Sequence, residues 1–402
     1  MPKTMRVLYV NHTTQKSGAG ISLSTLLRHL PVDIEKFFLV PAQSQIDALL
    51  GARPERTCRE RHLCQFMTTL YTPPYPPSLL AWHLAKIPRA IWRIHELIRR
   101  WEIDLVHVNE TTLIAYALAA RLAGVPTVLH ARTAIAPRPF EQSLLARFGR
   151  MRHARIACID SEVRDSLPPP CRRIAEVIYN PIDLGPAPLP AEINALRASW
   201  GFGPEHVVVG QVASLHRQKG IWLILDLAEK LCAEFPQLRI VLVGDTAPEA
   251  GEGPKLGAAI AERGLAGRVV LPGYDTRLAA VYGSLDVALC LFGGELGGVG
   301  RAAYEAAVSG KPLVATVPDP NRSETIENGV SGLLFTHTDP AGIADALRRL
   351  ISDASLRASL GASAQASIGH RHAPAAVAES VARLYAMLGA TAASDSQPVE
   401  KR

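Results

Sequence analysis

Short runs of apolar, largely β-branched residues alternate along the chain with longer segments in which apolar positions recur at helical spacing. This alternation is typical of parallel sheets built from strand–helix–strand units. In the first half, strands are predicted at Arg6–His12, Phe37–Pro41, Asp104–Asn109, Thr127–Arg132, Arg155–Asp160 and Ala175–Tyr179. In the second half, they are predicted at Val207–Ser214, Leu238–Asp245, Arg268–Gly273, Val287–Phe292, Pro312–Val317 and Gly332–Phe335. The pattern therefore predicts an α/β protein with a doubly wound parallel sheet in each half.

A proline-rich stretch from Asn180 to Pro190 interrupts the periodic pattern and marks the domain boundary. We predict a Rossmann-like domain over residues 1–183, a second over 184–370, a helix over 371–390 that crosses back to the first domain, and a disordered tail over 391–402. Open α/β sheets bind ligands at the carboxyl ends of their strands. Two such sheets facing each other would place the functional site in the cleft between the domains.

A tryptophan-rich segment departs from this alternation. The prolines of residues 72–77 predict a stiff loop, and a helix is predicted from Ser78 to Trp101. This helix carries Trp82, Trp92 and Trp101 among five lysine and arginine residues, a combination that interfacial helices use on anionic lipid. The alternative is an ordinary amphipathic helix that packs on the first sheet and is kinked by Pro88.

Length and composition support a folded protein with two domains. The chain has 402 residues, more than a single hydrophobic core accommodates, and 48% of them are hydrophobic against 20% charged. The net charge of +6 is uneven, because residues 1–183 hold 24 Lys and Arg against 15 Asp and Glu. A basic first half suits an anionic partner, either a phosphate-bearing substrate or a membrane surface, although a solvated basic surface explains it equally well.

Several classes of protein are not indicated by the sequence. The six cysteines form no CxxC pair, and we find no carboxylate cluster such as DxD, so neither a metal site nor a resident cofactor is predicted. The basic residues are not interleaved with aromatics along one sheet face, as nucleic-acid binding would require. No apolar run is long enough for a secretory signal or a bilayer span, so we expect a cytoplasmic protein.

A glycine-rich turn is the most informative motif. Residues 293–300 follow a predicted apolar strand and contain five glycines. The last of these, Gly300, opens a predicted helix. Unpaired N–H groups at such a helix start form a site for a diphosphate. Glu305 lies a little over one turn into this helix, where its carboxylate is suited to accept hydrogen bonds from a ribose diol.

A second candidate element follows the first strand of the second half. Lys219, at the mouth of a helix, offers a point charge to a phosphate, and Arg217 offers a planar fork for bidentate contact. Basic residues at a loop tip are also commonly just solvated.

Taken in order, these segments resemble the family 4 (group 1) glycosyltransferases, which are retaining enzymes of the GT-B fold. In the second half the resemblance lies in LHRQKG (Leu215–Gly220), VLVGD (Val241–Asp245), VVLPGYDT (Val269–Thr276), LDVALCLF followed by GVGRAAYEAAVSGKPLVAT, and SETIENGVSGLLF (Ser323–Phe335). In the first half it lies in SGAGISLSTLL, DLVHVNE and VLHAR. The resemblance spans nearly the whole chain, and residues 273–335 are its most specific part.

The resemblance implies transfer of a hexosyl group from a nucleotide diphosphate sugar to a hydroxyl acceptor, with retention at the anomeric carbon and without a metal ion. The catalytic residues it implies, together with our substitutes for two missing family residues, are Lys219, Arg217, Glu295 and His107. The donor-binding residues would be Gly298, Val299, Gly300, Arg301, Glu305, Gly273, Tyr274, Gly18 and Gly20. On the acceptor side they would be Ser22, Asn109, His130 and Arg132.

Three positions depart from the family pattern. The first glutamate of the family's E-x7-E motif falls on Gly297, and Glu295 is the nearest substitute. The family arginine five residues before the lysine falls on Ser214, which leaves Arg217 as the candidate replacement. The second histidine of the family's H-x-H is Asn109, so its role does not transfer.

Two alternatives to an active transferase remain open. One is a catalytically degenerate member that binds a nucleotide sugar or scaffolds a partner, which the departures at Gly297 and Ser214 favour. The other is a nucleotide-sugar epimerase. For an active transferase, the basic first half and the tryptophans fit a lipid-linked acceptor at the inner face of a membrane. Assembly of bacterial surface polysaccharide, lipopolysaccharide or glycolipid would supply such an acceptor, and a soluble phosphorylated acceptor fits the same features.

Overall fold

A computed structural model describes residues 4–13, 17–46, 50, 53–65, 67, 74–246, 252–293 and 300–395. The chain divides into two compact units. The first unit comprises Met1–Pro181 together with Ala373–Arg402, and the second comprises Ile182–His372. Both sheets contain only parallel strand pairs among the described residues, which confirms the predicted fold class of two doubly wound α/β domains.

The first unit is built on a seven-stranded sheet in the order β3-β2-β1-β4-β5-β6-β7. Its strands are β1 (Met5–Val10), β2 (Ile34–Pro41), β3 (Thr57–Glu60), β4 (Leu105–Val108), β5 (Thr127–Ala131), β6 (Ala154–Cys158) and β7 (Ala175–Val177). Its helices are α1 (Gly18–His29), α2 (Pro77–Leu84), α3 (Ile87–Trp101), α4 (Ile114–Leu122), α5 (Pro139–Gly149), α6 (Ser161–Ser166) and α7 (Pro169–Arg172).

The inner strands of this sheet, such as β4 and β5, are buried on both faces, so they read as continuous apolar runs. Leu8, Val106 and Leu129 point into a core formed with α3, α4 and α5. Val7 and Val128 point to the opposite face, where α1 packs. Strand β3 was not predicted because its sequence, TCRE, is short and polar, as suits the edge of a sheet.

The predicted helix over residues 78–101 is two helices, α2 and α3, separated at Ala85 and Lys86. Pro88 lies in the first turn of α3, where its missing N–H costs nothing, but it prevents α2 from continuing. Helix α3 buries Ala90, Ile94 and Leu97 against the first core, as an amphipathic helix on a sheet does.

The second unit holds a six-stranded sheet in the order β10-β9-β8-β11-β12-β13. All six strands were predicted, and they are β8 (Val207–Val212), β9 (Leu238–Val243), β10 (Val269–Gly273), β11 (Val287–Cys290), β12 (Leu313–Thr316) and β13 (Leu333–Phe335). The helices are α8 (Pro190–Ser199), α9 (Ile221–Glu234), α10 (Gly253–Glu262), α11 (Leu278–Gly283), α12 (Arg301–Val308), α13 (Pro340–Ser352) and α14 (Ala354–Gly369).

The final helix, α15 (Pro374–Asp395), belongs to the first unit. Its apolar face, including Val381 and Leu384, packs on the same face of the first sheet as α1. The prediction of a disordered tail from residue 391 is wrong for residues 391–395, because the helix extends to Asp395. Ala390, Ala392 and Ala393 favour the helical conformation strongly enough to carry it further. Residues 396–402 lie outside the described part of the chain.

Across the residues that the structure covers, no helix is both long and apolar enough to cross a membrane.

Candidate functional site

Each sheet reverses its strand order at one point, and the candidate residues gather there. The reversal falls between β1 and β4 in the first unit and between β8 and β11 in the second. In doubly wound folds, ligands bind outside the carboxyl ends of the strands at this switch point, because the connections on its two sides diverge and leave a crevice. The two units are described in turn, beginning with the second.

A tightly packed loop follows β8 and carries Lys219. Gln211, buried at the end of β8, donates from Nε2 to the Lys219 carbonyl at 2.6 Å and accepts from the Leu291 N–H at 2.7 Å. Gly220 follows with a φ of +63°, and a Cβ at this residue would lie 2.9 Å from the backbone of Leu291. The loop is therefore fixed against the end of β11 by backbone contacts that only glycine allows.

The Lys219 side chain is partly buried beside the end of β11. Its ammonium lies 4.2 Å from the centroid of the Phe292 ring, and no carboxylate pairs with it among the described residues. Burial lowers the pKa of this ammonium, while the Cys290 thiol opposes the shift. An incompletely solvated cation without a protein counter-ion is suited to bind an anionic ligand.

Cys290 links this lysine to the start of α12. The backbone N–H groups of Gly300 and Ala303 and the charge of Lys219 all favour the charged form of its thiol and so act to lower its pKa. Burial nevertheless raises the pKa of the thiol. The helix begins at Arg301 after Gly300, as predicted, and a Cβ on Gly300 would lie 3.8 Å from the Phe292 ring, against which the Lys219 ammonium also lies. Two sources of positive charge thus converge at the end of β11.

Glu305 lies in α12 with only 5% of its surface exposed. Arg301 donates from Nε to Glu305 Oε1 at 2.7 Å, and the Tyr282 hydroxyl donates to Glu305 Oε2 at 3.0 Å. Burial raises the pKa of Glu305, and Arg301 and Tyr282 oppose that shift. Since each carboxylate oxygen accepts more than one hydrogen bond, Glu305 keeps acceptor capacity for a ligand while its orientation is fixed.

Other donor-side candidates are more exposed. Arg217 extends from the loop surface, with its Nε 3.7 Å from Glu252 and its guanidinium 5.7 Å from the ring centroid of Trp222. Gly273 ends β10 with a φ of +90°, and Tyr274 follows it with about half of its surface exposed. Glu295, Gly298 and Val299, and the departure at Gly297, lie outside the described residues.

In the first unit, the candidate donor-binding residues Gly18 and Gly20 and the candidate acceptor-side residue Ser22 all lie in the first two turns of helix α1, and not in a loop. The Ser17 hydroxyl caps this helix by accepting from the Gly20 N–H at 3.0 Å. Gly18 is open to solvent, whereas Ser22 is buried in the second turn, so its hydroxyl faces the interior.

A buried polar cluster occupies the carboxyl ends of β1, β4 and β5. Asn109 donates from Nδ2 to Asn11 Oδ1 at 2.7 Å and accepts from Arg132 Nε at 2.5 Å. Arg132 also donates to Asn180 Oδ1 at 2.6 Å. The fork of the guanidinium is thus held in one orientation by two amide oxygens at the switch point of the first sheet.

His107 and His130 form the second part of this cluster. His107 is fully buried, and its Nδ1 lies 2.5 Å from the Tyr385 hydroxyl while its Nε2 lies 3.2 Å from His130 Nδ1. Burial, assisted by the charge of Arg132, lowers the pKa of His107 to about 3 and holds that of His130 well below its usual range. Both rings are therefore neutral at physiological pH.

His130 Nε2 is buried and has no hydrogen-bond partner among the described residues. A buried polar atom without a partner costs free energy unless a ligand or water supplies one. Of the two histidines, His130 is thus the one that has a ring nitrogen without a partner among the described residues, whereas both ring nitrogens of His107 have partners.

Glu110 holds a strained backbone next to this cluster. Its φ is +143°, an unusual value for a residue other than glycine. Its carboxylate accepts from the Thr111 N–H at 2.7 Å and from the Thr133 hydroxyl at 3.2 Å, and burial raises its pKa. Such strain persists where surrounding contacts impose it, often at functional sites.

Sequence reasoning did not find Gln211, Tyr282, Asn11, Asn180 or Tyr385. Gln211 and Asn11 carried a weak signal, because each is a polar residue at the end of an apolar strand. Tyr282 and Tyr385 carried none, since each sits in a helix whose periodicity marks it as an ordinary core residue.

Comparison with known proteins follows the division into two units. The sequence model described as Glycosyl transferases group 1 matches residues 192–367, and that described as Glycosyltransferase Family 4 matches residues 39–185. A D-inositol 3-phosphate glycosyltransferase of Corynebacterium urealyticum is 33% identical over 165 residues, which cover 40% of this chain and 38% of the relative. The chain thus spans about two fifths of the length of the curated relatives that it matches.

Solved structures match over nearly the whole chain. The crystal structure of Anabaena Alr3699/HepE in complex with UDP superposes with a TM-score of 0.75 at 21% identity, covering 95% of this chain and 100% of that one. The same protein in complex with UDP-glucose superposes with a TM-score of 0.72 at 22% identity, with coverage of 95% and 100%. At this level of identity the likeness establishes the GT-B fold.

Proposed function

The chain belongs to the group 1 (family 4) glycosyltransferases, and on that premise we propose that it transfers a hexosyl group from a nucleotide diphosphate sugar to a hydroxyl acceptor. We further propose that the reaction retains the anomeric configuration and needs no metal ion. The observation that carries the proposal is the convergence of Lys219 and the start of α12 on the Phe292 ring, just after β11.

The chemical demand of the reaction supports this reading. Departure of a nucleotide diphosphate from the sugar leaves negative charge on the leaving oxygens, and catalysis depends on stabilising that charge. Lys219 would supply a point charge, and the N–H groups of α12 would supply aligned dipoles without reorganisation. In this proposal Lys219 and the N–H groups of α12 together stabilise the leaving diphosphate, as a divalent cation does in other transferases.

Donor recognition is assigned to the second unit. Glu305, held by Arg301 and Tyr282, would accept hydrogen bonds from the ribose hydroxyls of the nucleotide. The Gly273–Tyr274 segment would contact the base through its backbone. The UDP and UDP-glucose bound by Anabaena Alr3699/HepE make uridine donors the first to test.

The acceptor is assigned to the first unit, where Arg132 and His130 would contact it. The name of the curated relatives, D-inositol 3-phosphate glycosyltransferase, favours a phosphorylated polyol as one class of acceptor to test. A lipid-linked acceptor of surface polysaccharide, lipopolysaccharide or glycolipid assembly is the other class.

The exposed aromatic and basic residues of α2 and α3 support a peripheral membrane contact in this proposal. We define the tryptophan surface as Trp82, Arg89, Trp92, Arg99 and Arg100. Trp92 is 58% exposed and Trp82 is 44% exposed, although Lys86 covers one face of the Trp82 ring. Exposed indole rings flanked by arginines suit the interface of an anionic membrane.

Donor binding is tested first with a thermal-shift panel of UDP, GDP, ADP, CMP and their common sugar conjugates, with and without a chelator. A ligand at about 100 times its Kd adds roughly 2.7 kcal/mol of stability. We expect a shift with one base that survives the chelator and is lost in Lys219→Met but kept in Lys230→Met, an exposed lysine of α9. No shift with any nucleotide would favour the degenerate scaffold. Turnover of the sugar nucleotide without an acceptor would favour an epimerase.

Stereochemistry is tested on the product. With the donor identified, we expect the new glycosidic bond to have the anomeric configuration of the donor sugar, as read from the coupling constant of the anomeric proton. An inverted product would overturn the retaining mechanism and leave the donor assignment intact. A requirement for added Mg²⁺ or Mn²⁺ in turnover would overturn the metal-independent mechanism.

A further inference from the structure

The Phe292 ring borders two elements of the proposed donor site in the second unit. The Lys219 ammonium lies over its face, 4.2 Å from the ring centroid. At the tip of the ring, a Cβ added to Gly300 would lie 3.8 Å from Phe292 Cζ. One aromatic side chain therefore adjoins both the lysine and the start of α12.

The backbone that carries this ring is fixed on two sides. The Phe292 N–H donates to Thr316 Oγ1 at 2.6 Å, and Thr316 is buried at the end of β12. The next N–H, that of Gly293, donates to the Gln218 carbonyl at 3.1 Å, in the loop that carries Lys219. The ring and the lysine thus belong to one hydrogen-bonded frame, so the fold itself brings them together.

An aromatic face differs from a carboxylate as a partner for this lysine. The π electrons attract an ammonium, and the attraction grows where water is excluded. The ring has no net charge, so the ammonium keeps its full charge for an anionic ligand, whereas a carboxylate would neutralise it. Burial lowers the pKa of Lys219, and contact with the electron-rich face opposes that shift because it favours the charged form.

We propose that Phe292 is a positioning residue whose ring face holds the Lys219 ammonium, charged and unneutralised, in place for the diphosphate of the donor. The identity of the ligand rests on the proposed function, but the contact of cation and ring is a property of the free protein. In this proposal the contact persists when the ligand binds, so a more electron-rich face gives tighter binding. An apolar wall of the same size would fill the space equally well, so the test varies the electrons of the ring and not its size.

The test is to replace Phe292 in the full chain with 4-fluoro-, 3,5-difluoro- and 3,4,5-trifluorophenylalanine. Each fluorine withdraws electron density from the ring face and changes the volume little. The Lys219 pKa is read by NMR of protein labelled with ¹³C at lysine Cε, and its signal is assigned from its loss in Lys219→Met. We expect the pKa to fall stepwise along the series, because the charged form loses its attraction to the ring.

Anion binding is measured on the same series by isothermal titration with UDP and with inorganic pyrophosphate. We expect both to bind progressively more weakly, by about two- to fivefold for the trifluorinated ring. The matched control is the same series at Phe335, a partly buried ring of β13 with no cation over it among the described residues. This control should change neither the Lys219 pKa nor the two affinities.

Phe292→Leu provides a second route if the fluorinated chains do not fold, since leucine is apolar without a π face and should lower both the Lys219 pKa and the affinities. An unchanged Lys219 pKa or unchanged affinities along the series would overturn the proposal and leave the ring as an apolar wall. Tighter binding along the series would also overturn it, because the ring would then compete with the ligand for the lysine. Pyrophosphate binding that weakens with fluorination, in a chain that binds no nucleotide, would support the role of the ring and contradict the proposed function.

Discussion

The Tyr282 hydroxyl donates to Glu305 Oε2 at 3.0 Å, from a helix that the sequence marks only as core. With Arg301 on the other oxygen, the carboxylate is held in one orientation before any ligand arrives. Preorganisation of this kind lowers the entropic cost of binding, because the side chain is not immobilised by the ligand.

Glu305→Gln should weaken nucleotide binding by about tenfold, because the amide offers one acceptor oxygen instead of two. Isothermal titration with the nucleotide identified by thermal shift measures this. Glu262→Gln, at an exposed residue of α10, is the matched control and should bind as the wild type does. Equal affinity of Glu305→Gln and the control would remove Glu305 from the donor site.

Lys219→Met should lower kcat by roughly 10²–10³ with little effect on stability, because the lysine has no carboxylate partner among the described residues. Lys219→Arg should recover only part of the rate, since its charge is spread over a planar fork, whereas the ammonium is a compact point charge. Steady-state kinetics with Lys230→Met as the control measure both. Wild-type kcat in Lys219→Met would overturn the charge-stabilising role.

Gln211→Met should destabilise the second unit by about 1–3 kcal/mol, because it leaves the buried Leu291 N–H and Lys219 carbonyl without their partner. Methionine has nearly the same length and no polar terminus, so the change isolates the two hydrogen bonds. Urea denaturation measures the loss. A loss of kcat beyond that of a destabilised control, Val209→Ala in the same strand, would show that the bonds also position Lys219.

Stability should fall as pH decreases below about 6.5, the ordinary pKa of a histidine. The folded-state pKa of His107 is about 3 and that of His12 is about 4, so at intermediate pH the unfolded chain binds more protons than the native protein. Each such residue contributes a slope of about 1.4 kcal/mol per pH unit. His107→Gln should reduce the slope of unfolding free energy against pH between 6 and 4, as seen in urea titrations. His216→Gln, at an exposed loop residue, should leave it unchanged.

The tryptophan surface should bind anionic lipid. We expect co-sedimentation with vesicles containing phosphatidylglycerol, little with phosphatidylcholine alone, and weakening by salt because the arginines contribute electrostatically. Trp92→Ala should reduce the bound fraction several-fold, since burial of an indole is lost. Phe140→Ala, a similarly exposed aromatic of α5, is the control. Equal binding by the two variants would assign the tryptophan surface no role.

The sequence alone determined the two parallel α/β sheets, because buried parallel strands are continuous apolar runs that helix-patterned segments separate. All six strands of the second sheet and the helix start at Arg301 followed from this local signal. The local pattern also placed Lys219 and Glu305 near the starts of helices, since charged residues stand out against apolar neighbours, whereas His130 and Arg132 became candidates through the family resemblance.

Only the tertiary structure decided which polar side chains meet. Tyr385 reaches His107 across 278 positions of sequence, and Gln211 reaches Leu291 across 80. Such contacts depend on how helices and strands pack in space, and local periodicity carries no information about them. The same holds for His130 Nε2, because its burial and its lack of a partner among the described residues are properties of the assembled cluster and not of any one residue.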